Sequence, residues 1–440
     1  MKQTGVLFLG HADYLDENAA AIRAEISRAL SPTGQFDLSA SEVAVTDSQA
    51  IGAARELLHK GCAGAVLVLS TWVECNIVMS ALKELRGLPM LFWGFPLEQV
   101  NGRRESTGSY VSASMFAGTV RRLKLPAEIL IGSWNEPSVL ERLSAFASAA
   151  NAVDRLFYSK IGLIGYTSMS IYTGTFDHVL LRYLVGPEVQ QMDAYSLIRL
   201  AESSTEEELA DARRRLEERT CICADVQPPV LKKTLALYAA MKKLCADNGW
   251  GAINVKCQYE FSKEYRVVPC VALSLLAEEG IVASCEGDML CTVSMLILNS
   301  LTAQPVTYGD SLTHHGNVVQ FSPCGFMPFS MGADGVRVQK FMEHPGFSGI
   351  QVSGVLRPEK VTFLRLVEDI GTYHFVYGTG NGLKTEPRGG CMPALDVELD
   401  GSIEALCREY AGQHYALAYG DLSGQIEVLS RITGIPAIRI

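Results

Sequence analysis

The sequence predicts an α/β protein: two Rossmann-like, doubly wound domains followed by a β-rich C-terminal domain. Three observations point there. Short runs that are apolar throughout recur at 5–9, 65–69 and 89–93, with a further extended segment at 128–131. Helix-period patterns alternate with them, and strands lacking a polar face imply a parallel sheet covered on both sides. From about residue 304 the texture changes to short extended segments separated by Gly, Pro and Asp, the pattern of an antiparallel β domain. The expected domains are 1–155, 156–303 and 304–440.

In chain order, the run at 5–9 precedes a helical pattern over 19–30. Asp47 and Ser48 are N-cap candidates for a helix reaching about residue 60. Helices are expected over 73–86 and 113–123, and over 137–150, where Pro137 opens the first turn. A strand at 160–165 begins the second domain. Its IGLIGYTSMS lacks the GxGxxG spacing, which argues against a dinucleotide site. Residues 201–220 read as one charged, solvated helix, and Pro228-Pro229 opens another that ends near Asn248-Gly249. A strand at 252–256, a helix at 265–279 and a strand at 281–284 follow. Extended segments are then expected at 318–321, 350–355, 361–367, 373–377 and 395–399. The chain closes with a strand at 414–419, a helix at 422–432 and a strand at 435–440.

Bulk properties exclude some functions. The net charge of −10 disfavours nucleic acid, and no Lys/Arg run offers a phosphate track. Twelve cysteines occur without a CxxC pair, which fits reduced thiols in a reducing compartment. The apolar run in MKQTGVLFLG is too short for a signal peptide, and no segment reaches the roughly 18 apolar residues of a membrane span. A soluble, cytoplasmic protein is the expectation.

Chemistry concentrates between Lys256 and Asp310. Two acidic clusters, Glu260 with Glu264 and Glu286 with Asp288, lie among apolar residues at the ends of expected elements. Poorly hydrated carboxylates need a cation, a donor or a proton. The helix and strand between Glu260 and Asp288 can return both to one end of a sheet, where a divalent metal would relieve their repulsion. Helix caps or surface charges are the competing reading. His414, at the entry to an apolar strand, is either a core residue or the imidazole completing such a site. His314 and His315 are adjacent and point to opposite faces of a strand. Arg103 and Arg104, in the polar loop 101–109, could reach a charged substrate. The glycine-rich 378–382 (GTGNG) reads as a turn after a strand.

The order of KCQYEF, then VVPCVALSLLAEEGIVASCEGDMLCTVSMLIL, resembles the L-fucose/L-arabinose isomerase family, in a shorter and divergent form. STWVECN at 70–76, GSYVSASMFAGTVRRL at 108–123, KIGLIGY at 160–166 and QHYALAYGD at 413–421 extend the resemblance over most of the chain. It implies a fucose isomerase-like fold with the active site between the second and third domains. It also implies a divalent cation, usually Mn²⁺ with Mg²⁺ or Co²⁺ as alternatives, held by Glu260, Asp288 and His414. Glu264 rivals Glu260 for the first place. The two carboxylates would move a proton through a cis-enediol. Trp72, Arg103, Tyr308, Asn381 and Gln413 are implied substrate contacts. A homo-oligomer, hexamer or trimer, with an inter-subunit site is implied as well. Pro323-Cys324-Gly325 stands where the family often has His-Cys-Gly, a departure that bears on the substrate pocket.

The expected function is therefore metal-dependent aldose–ketose isomerisation. Fucose, arabinose, a shorter aldose or a sulfonated or phosphorylated sugar all suit it. A sugar-binding or regulatory protein without turnover, and a lyase or epimerase using the same enediolate, are the alternatives.

Overall fold

The computed structural model describes residues 2–40, 42–96, 98–100, 103–105, 107–333, 335–341, 348–386 and 392–440, with 98–100 and 103–105 described by their backbone. The chain forms two compact units, Met1–Arg155 with Gly424–Ile435, and Leu156–Ser423 with Pro436–Ile440. No described helix is long and apolar enough to cross a membrane.

The first unit holds a parallel sheet in the order Phe36–Asp37, Thr4–Leu9, Gly64–Leu69, Met90–Gly94, Glu128–Ile131. Thr4–Leu9 and Gly64–Leu69 are buried along their whole length, as strands covered by helices on both faces must be. Gly94 permits the close approach of one covering helix: a Cβ there would lie 2.4 Å from that of Ala113. The helix Ser423–Thr433 belongs almost entirely to this unit, where Arg431 reaches the buried Glu128 at 3.1 Å.

The second unit contains a parallel sheet and a barrel. The sheet runs Val282–Cys285, Ala252–Val255, Lys160–Ile164, Glu188–Met192. Six antiparallel strands close the barrel in the order Lys360–Asp369, His414–Tyr419, Thr307–His315, Val318–Ser322, Leu395–Leu399, Thr372–Leu383, and the last pairs again with the first. Closure removes the free edges that would otherwise invite strand pairing with another chain. Ala437–Arg439 adds in parallel to Thr372–Leu383.

The helix Met289–Thr302 joins sheet to barrel. Every residue from Met289 to Leu301 is buried, because the helix is apolar on all sides and must be covered on all sides. It packs on the barrel strands Lys360–Asp369 and His414–Tyr419. Its N-cap, Asp288, accepts the Cys291 amide at 3.0 Å and so sits where sheet, helix and barrel meet.

Three expectations are corrected. The charged stretch at 201–220 is two helices, Ala194–Glu202 and Glu206–Glu217. Thr205 and Glu208 form a capping box that starts the second one. The helix expected over 265–279 is Cys270–Glu278, preceded by a π-helical turn at Glu260–Tyr265. The glycines at 378–382 lie inside the strand Thr372–Leu383, not in a turn. A Cβ at Gly378 would fall 2.4 Å from the Phe363 ring, so these glycines make room for packing within the barrel.

Candidate active site

Three loops at the carboxyl end of the second unit's sheet, where open α/β folds bind ligands, build the site. The first, after Lys160–Ile164, begins at Gly165; the second, after Ala252–Val255, begins with Lys256-Cys257-Gln258; the third is Glu286-Gly287-Asp288. Backbone bonds tie them together: Ser168 donates to the Glu286 carbonyl at 2.8 Å, and Glu286 donates to the Val255 carbonyl at 3.1 Å. Asn254, fully buried in the strand Ala252–Val255, braces the third loop, accepting the Gly287 amide at 2.8 Å and donating to the Asp288 carbonyl at 3.3 Å. Glu286 holds a left-handed backbone (φ 67°), and so does Gly287, where a Cβ would lie 2.3 Å from the Tyr166 carbonyl oxygen. A strained non-glycine residue held by its surroundings is a mark of functional sites.

His414 is the centre of the arrangement. Its Nδ1 lies 2.8 Å from Asp288 Oδ2. Its Nε2 faces Glu286 Oε2 at 3.6 Å and Asp310 Oδ1 at 3.4 Å. The strand register places Asp310 directly opposite His414. Arg365, fully buried, binds Asp288 Oδ2 at 2.7 Å and the His414 carbonyl at 3.2 Å. Tyr308 packs its ring edge-on against the imidazole at 5.2 Å, and its hydroxyl lies 2.8 Å from Cys285 Sγ.

The electrostatics follow from that geometry. Burial disfavours a charged Asp288, but Arg365 and His414 outweigh it and hold this carboxyl well below the usual range. Burial pushes Asp310 up to about 6, against the pull of His414 and with added repulsion from Glu286 and Asp288. Burial lowers His414, yet its bond to Asp288 and the surrounding carboxylates raise it overall.

The residues singled out from the sequence are distributed as follows. Asp288 and His414 come together. Glu260 lies on the π-helical turn, where both of its carboxylate oxygens accept from Lys256 at 2.6–2.7 Å. Glu264 is exposed. Gln413 precedes His414, and its side-chain oxygen takes the Thr173 hydroxyl at 3.4 Å. Asn381 is exposed on the barrel, opposite Lys360 and Glu398. Trp72, in the first unit, packs against His11 and Tyr14. The Arg103 and Arg104 side chains and residues 101–102 lie outside the described residues.

Sequence reasoning gave no part to Asp310 or Arg365. Arg365 had a legible signal, a single cation inside VTFLRLV, which needs a buried acid to answer it. Asp310 becomes visible only through its register opposite His414.

No protein-family model matches the chain. It is similar to sulfoquinovose isomerases. The protein of that name from Alkalicoccus urumqiensis is 23% identical over 376 residues, 84% of each chain. That from Clostridium sp. (strain MSTE9) is 24% identical over 367 residues, 81% of this chain and 82% of its own. The Priestia megaterium protein is 23% identical over 353 residues, 79% of each.

Proposed function

We propose that the protein is an aldose–ketose isomerase, an intramolecular oxidoreductase, acting on an anionic, sulfonated sugar. The observation that carries this is the similarity to sulfoquinovose isomerases over about four-fifths of the chain. The His414 centre supplies a chemistry that suits it.

The donor set fits a divalent cation such as Mn²⁺. With Nδ1–H given to Asp288, the neutral imidazole turns a lone pair toward two carboxylates, and three acceptors in one place call for a cation. Oxygen and imidazole donors suit Mn²⁺. We assign Glu286, His414 and Asp310 to hold it, with Asp288 behind the imidazole as the positioning residue. When bound there, the cation would polarise the sugar carbonyl and its neighbouring hydroxyl.

The protein's own groups then do three things. Arg365 keeps Asp288 ionised, and Asp288 fixes the tautomer of His414. The side chain of Asp310 is 28% exposed, against 7% for Glu286 and 1% for Asp288 and His414, so it is the carboxylate a substrate can reach. Asp310 takes the proton from C2 and returns it to C1, while the hydroxyl proton passes from O2 to O1 through a cis-enediol. Glu260 stays outside this path because Lys256 holds both of its oxygens.

The test is sulfoquinovose incubated with chelator-treated protein, with and without added Mn²⁺, and products followed by ¹³C NMR. Ketose formed only with Mn²⁺ supports the proposal. No ketose from sulfoquinovose or any other anionic aldose, with metal present, overturns it.

A further inference from the structure

We infer that Cys257, Cys285 and Glu286 form a site for a soft divalent cation, zinc or cadmium, which competes with the His414 centre for the Glu286 carboxylate. The inference goes beyond the isomerase reading and shares only Glu286 with it.

One ligand atom from each of the three lies within 4.8 Å of the others, and all three residues are buried. Sulfurs on one tetrahedral zinc, each about 2.3 Å from it, stand roughly 3.8 Å apart, so these donors need little movement to converge. The Tyr308 hydroxyl, 2.8 Å from Cys285 Sγ, supplies a fourth polar group at the cluster. Glu286, which keeps a left-handed backbone without being glycine, marks the place as more than packing.

Thiolates select soft metals, whereas the oxygen and imidazole set on the other side of Glu286 suits manganese. The Glu286 carboxylate thus lies between donors of opposite preference. On binding, two metal–sulfur bonds form as two thiol protons leave to solvent, and no electron is transferred. The carboxylate that turns toward the thiols is then lost to His414 and Asp310.

The test uses reduced, metal-free protein carrying Cys75→Ser, Cys221→Ser, Cys223→Ser and Cys407→Ser, which removes four of the five described thiols that are exposed or half-exposed and keeps Cys324. It is titrated with cadmium chloride, and sulfur-to-metal charge-transfer absorbance is recorded. The expected band saturates at one equivalent and is lost on adding Cys257→Ser or Cys285→Ser, with folding checked by circular dichroism. Glu286→Gln, which keeps both thiols, should weaken cadmium binding at least tenfold. No band at one equivalent, a band surviving both cysteine substitutions, or unchanged affinity in Glu286→Gln overturns the inference. No substrate is needed, so failure here leaves the isomerase reading standing, and an inactive protein that shows the band leaves this one standing.

Discussion

His414 gives its Nδ1 to Asp288 at 2.8 Å, and that one contact decides what its other nitrogen can do. A carboxylate on Nδ1 holds the proton there and leaves Nε2 to face Glu286 and Asp310. Asp288 can play that part deep in the protein because Arg365 answers its charge at 2.7 Å.

Replacing Asp288 with Asn should leave the imidazole in place but free its tautomer. Loss of such a partner costs about 10–100-fold in metal affinity or activity. Mn²⁺ titration by calorimetry checks this, and wild-type affinity in the variant would contradict it.

Arg365→Met removes the cation that answers a buried carboxylate. Breaking a buried pair from one side costs about 3–5 kcal/mol, and urea unfolding should show a loss of that size. Asp288→Asn added to it should recover part of the loss, because no unpaired charge then remains.

Gly287→Ala should damage both stability and activity. The position combines φ 67° with a Cβ that would sit 2.3 Å from the Tyr166 carbonyl oxygen. Forcing atoms into such a space costs about 1–3 kcal/mol, and the loop that must shift is the one carrying Glu286. A thermal melt together with Mn²⁺ affinity measures both effects.

Acid stability should depend on Glu279. Burial raises this carboxyl, but bonds from Lys242 and Tyr238, with the charges of Lys242 and Arg215, bring it below its ordinary value of 4.5. A carboxyl depressed in the folded state stabilises the protein above the unfolded value and stops doing so as pH falls through the folded one. Wild type should therefore exceed Glu279→Gln in stability at neutral pH, with the gap closing as the pH is taken below about 4.5. Urea midpoints across that range test it.

How much of this was legible in the sequence depends on distance along the chain. The apolar runs gave the parallel strands because a strand buried on both faces has no polar side to hide. Asp288 stood out through its apolar neighbours, and His414 through its place at a strand entry. Asp310 and Arg365 gain their meaning from strand pairing across the barrel, which no local pattern encodes. Glu260 was attractive for the opposite reason. The sequence shows that it lies four residues from Lys256, but not that Lys256 is fully buried and spends its ammonium on that carboxylate. The glycines at 378–382 read as a turn because neither the Phe363 ring nor the Glu398 carbonyl that they admit is a sequence neighbour.

The central claim is that the Glu286, Asp310 and His414 cluster moves a substrate proton. Its most direct measurement is deuterium incorporation into sulfoquinovose and its ketose in D₂O with Mn²⁺, comparing wild type with folded Glu286→Gln. The account predicts label entering at the exchanging carbon with wild type and a loss of at least a hundredfold in the variant. Equal labelling by the two proteins would contradict it.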